Sequence, residues 1–445
     1  MSELSIPWRP RVIMIDRAFR LPVQSAQGAV ELSPEPFSVI SSRWEPRDRA
    51  WYFYLRSPGQ PGDFTITVRQ NGQSAQTAIQ VRTLDQLREH HEYNGAVWPR
   101  RWPVGQPWES TKQRQTLQDT APVRPANEEQ LAWWTGQKDE TLWHQMPWPE
   151  FPQAHFVNVN QGCPNCGTGV FRFGGFYPWT RGHLPCDFRS TCPSCRIRYP
   201  SNDFMAGDFT GGNTADDGFG YFDEGGQIYL FTATYHRDQV NRMDTGIQQL
   251  TNRLCTGPFE ESVARQLTVL LLRYATDILY IATVPQFRYG PSMGQETPWT
   301  WGQPDWASEP DPLEALYGKG MRRYSIDIPY VSESLALAYD TIWPFLRNDT
   351  QTVDRAQALG VNVRTPNDVI VMIEEMLAAQ VQSIMDRGGH SNLPRESMGA
   401  LSLLRGLDRP DAQDVMDWLY DEGPDRLRVF GINDFFPDGT PPEAT

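Results

Sequence analysis

Four cysteines carry the most specific chemical signal in this chain. Cys163-Pro-Asn-Cys166-Gly and Cys192-Pro-Ser-Cys195 are two Cys-x-x-Cys pairs separated by 25 residues. Each pair makes a tight knuckle whose sulfurs can converge on one ion. Two knuckles supply the tetrahedral four-sulfur set that Zn2+ accepts without ligand-field preference. Four protein ligands leave no open coordination position, so the metal is expected to be structural rather than catalytic. The glycine after Cys166 falls where a knuckle often needs positive φ. Cys186 sits between the pairs and can either replace one ligand or serve as a small buried residue. Two disulfides or free thiols are the alternatives for the four. Five of the six cysteines lie within 33 residues and Cys255 stands apart, a clustering that argues for metal over a dispersed disulfide framework.

The elements around this cluster are legible from polarity patterns. Phe64–Val68 and Thr77–Val81 alternate in polarity around Asn71-Gly72, a hairpin signature, and Ala50–Leu55 reads as a third strand. A small β-sandwich-like domain over 1–90 follows. Residues 91–155 form an aromatic-rich connector with a helical patch near Glu128 to His144; its many large rings would be costly in water, so it is expected to wrap rather than to dangle. Residues 156–245 hold the cysteine cluster, then Gly- and Asp-rich turns, and then a strand at Gln227–Phe231.

From about 246 the period becomes helical, with Val263, Leu267, Leu270, Leu271, Tyr274, Ile278 and Ile281 on one stripe. A second helix is capped by Thr365, with Pro366 at its first position and Asp368 in its first turn, and its stripe runs from Val369 to Ile384. Gly388-Gly389 ends it, and shorter helices follow near Pro394–Leu407 and Asp411–Tyr420. The C-terminal half reads as an all-α layer of hairpins.

The chain has 445 residues, which suggests two to four domains at roughly 100–200 residues each. With 40 Lys+Arg against 54 Asp+Glu the net charge is −14, which disfavours non-specific nucleic-acid binding. Charged residues at 21% and hydrophobic ones at 39% exclude both a disordered tail and a membrane protein. The most apolar window, Leu267 to Val284, contains Arg273 and Asp277 and reads as a buried helix. The opening MSELSIPWRPRVIMIDR has no basic segment followed by an apolar core, so no ordinary signal peptide is expected. The 16 Trp, 16 Tyr and 21 Phe beside 37 Pro and 35 Gly suit long shaped loops, of which carbohydrate clefts are one use.

The run Tyr199-Pro-Ser-Asn-Asp-Phe204 after the second knuckle, then Asp216-Asp-Gly-Phe-Gly-Tyr221, then Thr234-Tyr235-His236, resembles the N-terminal half of heparinase II/III-type polysaccharide lyases. The resemblance covers about residues 155–445 and extends to Gly388-Gly-His-Ser-Asn392 and Phe436-Pro-Asp-Gly439. It implies an incomplete (α/α) toroid over 246–445; with the β-sandwich and the zinc-ribbon insertion at 156–245 read from the residues, the expected fold is multidomain and mainly α. In the family a C-terminal β-sandwich carrying a proton-transferring Tyr comes next. The last residues here, FFPDGTPPEAT, read as an interrupted loop, so this part alone is expected to be inactive.

The implied reaction is β-elimination on a uronate-containing acidic polysaccharide. The proton beside a uronate carboxylate is very weakly acidic until hydrogen-bond donors neutralise that carboxylate, each worth roughly 3 kcal/mol in the transition state. A base then takes the proton, and an acid protonates the departing sugar oxygen. The resemblance makes Asn392 the carboxylate donor, because an amide donates without titrating, and His390 a base or second donor. The family often has an adjacent Asn-His or Asn-Trp pair where this chain has Asn392-Leu393. Gly388–Asn392 alternatively reads as a C-cap followed by an N-cap.

Tyr235, His236, Arg237 and Arg395 are the implied substrate contacts, with Arg172, Arg181, Arg242 and Arg387 as further cations near the cleft. Asp216, Asp217, Asp223 and Glu224 could suggest calcium, but Gly-rich turns explain them. Trp98, Trp102 and Trp108 suit either sugar stacking or burial. The competing reading is a non-catalytic, zinc-stabilised glycan-binding or assembly scaffold. Neither reading involves nucleic acid or membrane.

Overall fold

The computed structural model describes residues 4–7, 9–25, 28–46, 49–89, 108–118, 123–151, 154, 156–175, 177–181, 187–283, 328–385 and 395–422. The chain combines N-terminal sheets with a helix-rich remainder, so both kinds of structure build it. It divides into two compact units. One gathers Met1–Gln86 with Pro147–Gln239, and the other gathers Leu87–Met146 with the described helical residues from Val240 onward.

The first unit begins with β1 (Val12–Met14), β2 (Ala18–Gln24), β3 (Glu31–Ser33), β4 (Ser38–Glu45), β5 (Ala50–Arg56), β6 (Gly62–Gln70) and β7 (Gln73–Arg82). They form a sheet of order β1-β7-β6-β3 and a sheet of order β2-β5-β4. Asn71 and Gly72 both take positive φ, 50° and 78°, which is the backbone that a two-residue hairpin with the strands' own twist requires. The parallel pairing of β1 on β7 leaves no sequence signature and was not foreseen. Both sheets share one core: Leu21, Val23, Phe53 and Leu55 from one and Ile66, Val68, Ile79 and Val81 from the other.

Strand β5 is buried on both faces. Phe53 and Leu55 point into the sandwich, while Tyr52 and Tyr54 on the other face pack with Phe151 and Phe209. Arg20 joins this second core, its guanidinium 4.3 Å from the Tyr52 ring and 3.6 Å from the Phe219 ring. Arg43 closes on Asp217 at 2.8 Å. The Asp-Gly turn of residues 216–221 is thereby fastened to the sheet.

The second unit contains α2 (Glu128–Thr135) and α3 (Asp139–His144), preceded along the chain by the short α1 (Leu84–Glu89). It continues with most of α4 (Phe231–Thr256), then α5 (Glu261–Thr283), α6 (Ile328–Leu346), α7 (Thr350–Ala358), α8 (Pro366–Met385), α9 (Arg395–Leu407) and α10 (Ala412–Asp421). The expected stripe of α5 is fully buried, and exposure is confined to its first turns, at Glu261, Ser262 and partly Arg265. Its charges are neutralised locally. Arg273 pairs with Asp277 and donates to the carbonyls of Trp143 and Met146 at 3.1 Å, closing the end of α3. At the start of α8 the Thr365 hydroxyl accepts from the Asp368 amide at 3.2 Å while the Asp368 carboxylate accepts from the Thr365 amide at 2.9 Å, the expected cap. Among the described residues no helix is long and apolar enough to cross a membrane.

One element differs from its sequence reading. The strand expected over Gln227–Phe231 shrinks to β12 (Ile228–Tyr229), paired with β11 (Tyr221–Phe222), and Phe231 already begins α4. A five-residue apolar run fits either period, and the deciding partner lies far along the chain. The Asp216 carboxylate accepts from the Thr232 amide at 2.8 Å and so caps α4 from outside the helix.

Candidate metal centre

The two knuckles converge. The Sγ atoms of Cys163, Cys166, Cys192 and Cys195 all lie within 4.8 Å of one another, with Cys163 to Cys195 at 3.7 Å and Cys166 to Cys192 at 3.6 Å. A tetrahedral ion with metal–sulfur bonds near 2.3 Å has sulfur–sulfur edges of about 3.8 Å, whereas a disulfide needs about 2.05 Å. All four are free thiols. The separations fit four ligands around one ion, and they do not fit two disulfides. The four cysteines can therefore bind a metal ion.

Local backbone explains why the sulfurs meet. Cys163 and Gly167 exchange amide–carbonyl hydrogen bonds of 3.0 and 2.8 Å, closing the first knuckle, and Gly167 takes a φ of 66°. The second knuckle is the tip between β9 (Ser190–Thr191) and β10 (Arg198–Tyr199), strands that extend a small sheet from β8 (Thr180–Arg181). There Cys192 donates its amide to the Ile197 carbonyl at 2.9 Å and accepts from the Arg196 amide at 2.9 Å. Arg196 stands where the first knuckle has Gly167, with a φ of 64°.

Burial and backbone amides act on the thiols in opposite directions. Burial pushes the Cys163 thiol up, although the amides of Cys166 and Asn165 point at its sulfur. Burial likewise pushes Cys192 up to about 12, against the amides of Cys195 and Ser194. Burial also acts on Cys195, but the Ile197 amide and the neighbouring thiols bring it down to about 7. Amides aimed at sulfur favour the thiolate form in which cysteine binds a metal ion.

The surroundings hold the knuckles in place. Val157, Val170, Trp179, Tyr199, Tyr229 and Phe231 form an apolar shell with Cys163 and Cys192. The Tyr199 hydroxyl lies 3.5 Å from Cys163 Sγ, and burial together with that sulfur pushes its pKa well above the ordinary phenol range. Buried Asn158 donates to the Gly162 carbonyl at 2.8 Å and accepts from the Gly162 amide at 2.7 Å, which sets the approach to Cys163. Asn158 and Tyr199 were not singled out as supports of the site; only the apolar-then-polar spacing around the first knuckle could have drawn attention to the former.

The other expected residues are placed differently. Tyr235, His236 and Arg237 sit in the first turns of α4 and not at a strand end. Tyr235 is 0% exposed and stacks on Phe188 with ring centroids 5.2 Å apart, and His236 is 1% exposed. Arg395 opens α9, and its side chain lies outside the described residues, as do His390, Asn392, Cys186, Arg387, Trp98, Trp102 and the Gly388-Gly389 helix end.

The carboxylates of the Asp-Gly turns have protein partners. Asp216 accepts from the amides of Gly218, Gly220 and Thr232, and Asp223 accepts from the Gln227 amide and the Tyr229 hydroxyl. Trp108 is drawn to a buried carboxylate that the sequence did not reveal. Its indole donates to Glu374 at 3.0 Å, beside Ser110 at 2.9 Å and Tyr339 at 2.5 Å, and burial pushes Glu374 up.

Comparison with protein-family models, with curated proteins and with solved structures finds no match to this chain.

Proposed function

We propose that this chain is part of a polysaccharide lyase that cleaves uronate-containing glycans by β-elimination, built around a structural zinc ion on Cys163, Cys166, Cys192 and Cys195. In this reading residues 156–245 are a zinc ribbon and the helices from α4 to α10 are part of an (α/α) toroid. One observation carries it: three segments on which the family resemblance rests are lashed together beside the cysteines. The Asn202 side chain donates to the Asp216 carbonyl at 3.0 Å and accepts from the Asp216 amide at 2.9 Å, and the Asp216 carboxylate takes the Thr232 amide that opens α4. The knuckles, the Tyr199–Phe204 run, the Asp216–Tyr221 turn and the start of α4 thus behave as one device.

When bound, the zinc supplies a fixed crosslink and no open position for chemistry. The residues proposed to act on the substrate are Asn392, donating to the uronate carboxylate, and His390, taking the proton beside it, with Arg237 and Arg395 holding further carboxylates. A carboxylate-neutralising amide lowers the barrier to forming the dianionic intermediate, and the base must lie within hydrogen-bond reach of the proton it removes.

The burial of Tyr235 and His236 favours a second reading, a non-catalytic zinc-stabilised glycan-binding scaffold. The test is an assay for ultraviolet-absorbing unsaturated ends on a panel of acidic polysaccharides. It would use residues 1–445 and the chain continued through whatever its gene encodes after Thr445. Unsaturated product that disappears in Asn392→Ala supports the lyase; a zinc-loaded, folded protein with no product in either form refutes it and leaves the scaffold.

A further inference from the structure

We propose that the cysteine knuckles present a docking surface for a carboxylated polysaccharide, separate from any cleavage site. It is formed by Arg172, Phe173 and Tyr177 beyond the first knuckle and by Arg196 and Ile197 at the tip of the second. The inference rests on the glycan reading above and extends it to a second binding site for the same substrate class.

Charge is the first argument. In a chain of net charge −14, residues 163–199 carry five arginines, at 172, 181, 189, 196 and 198, against a single carboxylate, Asp187. Asp187 is engaged by Arg198, and Arg189 donates to the Asn202 carbonyl. Arg181 donates to the Ser190 hydroxyl at 3.2 Å, which leaves Arg172 and Arg196, both exposed and, among the described residues, without a carboxylate partner.

Exposed aromatic surface is the second. Phe173 is 46% exposed and Tyr177 57%, with the Tyr177 ring 5.0 Å from that of Phe156. The Arg172 guanidinium lies over the Phe173 ring, 4.7 Å from its centroid, which holds the cation and the ring side by side at the surface. Ile197 adds a further exposed apolar side chain beside Arg196.

Backbone geometry is the third. The position after the second cysteine of each knuckle needs a left-handed backbone, and the first knuckle fills it with glycine. The second fills it with arginine, at the conformational cost that a side chain carries there. Arg196 makes no burial that would offset this cost. Its amide closes the knuckle on the Cys192 carbonyl at 2.9 Å, as glycine would, so what arginine adds at this position is an exposed guanidinium available for recognition.

The chemistry selects the ligand. A polyuronate alternates carboxylates with C–H-rich sugar faces, which match bidentate guanidinium and aromatic ring respectively. Two unpaired guanidiniums suit such sparse carboxylates. They are few for tracking a phosphodiester backbone from a chain of this net charge.

The experiment titrates the full zinc-loaded chain with polygalacturonate, dextran and single-stranded poly-dT, reading binding by affinity electrophoresis at low and moderate salt. The variants are Arg172→Ala/Phe173→Ala and, independently, Arg196→Gly, which keeps the left-handed turn and relieves its strain. Zinc content and circular dichroism verify the fold. The expected result is salt-sensitive polygalacturonate binding that weakens about tenfold in the double variant and severalfold in Arg196→Gly, with dextran unbound. Unchanged polygalacturonate affinity in both variants, no binding, or tighter binding of poly-dT overturns the proposal. Binding is read without turnover, so a chain that docks polygalacturonate but never yields unsaturated ends sinks the lyase reading and leaves the docking surface standing.

Discussion

Replacing Cys192 with serine tests the metal centre most directly. Cys192 Sγ is buried and lies 3.6 Å from Cys166 Sγ, at the edge length of a four-sulfur tetrahedron. A serine hydroxyl does not ionise near neutral pH, so the substitution removes one thiolate and leaves the rest of the knuckle. Structural zinc sites bind with an apparent 10–16 kcal/mol, or about 2.5–4 kcal/mol per ligand when shared equally. That corresponds to a loss of about two to three powers of ten in affinity. Competition with a colorimetric chelator measures it, as the chelator concentration that releases half the metal. Cys255→Ser is the control, because that sulfur contacts the Thr341 hydroxyl at 3.3 Å in the helical unit and should leave the release curve unmoved. Equal half-release in Cys192→Ser and the unaltered chain would refute the four-sulfur site, as would an equal shift in Cys255→Ser.

Metal affinity should also fall more steeply with acidification below pH 7 than above it. Cys195 sits at about 7, so below that pH its proton too must be displaced on binding; calorimetry in buffers of different ionisation heat counts it. Asp349→Ala should cost about 2–3 kcal/mol in urea unfolding, since Asp349 caps α7 through the Thr352 amide at 3.1 Å and holds Arg265 at 2.8 and 2.9 Å. Burial opposes the charge of Asp349, but Arg265 and Thr352 prevail and hold its carboxyl below the usual range. Its stabilisation is therefore complete above the unfolded pKa near 3.9 and lost as pH falls through the lower folded value, so the two proteins should converge in acid. Asp216→Asn should cost about 1–3 kcal/mol, because an amide nitrogen cannot accept from Thr232 while the oxygen still serves Gly218 and Gly220. An unchanged unfolding midpoint would show that α4 is capped otherwise.

What could be read in advance follows from how far apart the interacting residues are. The β6–β7 hairpin, the cap of α8, the stripe of α5 and both cysteine knuckles are local patterns, and each is found where its period or turn chemistry put it. The misplaced start of α4 has a different cause. Residues 227–231 are apolar enough for strand or helix, and the choice is made by Asp216, whose carboxylate is supplied by a turn fastened in turn by Asn202 and Arg43. The buried carboxylates of the helical unit were hidden for the same reason. Glu374 lies on the stripe-rich α8, and Asp340 on α6 binds Lys112 at 2.8 Å and the amides of Thr116 and Leu117; neither has a partner nearby in sequence.

The same distinction bears on function. The metal ligands form two short local motifs, so their types and spacing identified them. Asn202 and Asp216 read as members of a motif order, but their work is tertiary: they tie a loop, a turn and a helix start into one piece beside the sulfurs. The four sulfurs come from the knuckles alone, and these side-chain ties lie outside that ligand set. Desolvation pushes the buried Asp216 carboxyl up while the amides of Thr232, Gly218 and Gly220 oppose it, and the net result is a cap that fixes where the first turn of α4 begins. On the proposed lyase reading, a surface built jointly from these segments would depend on that placement.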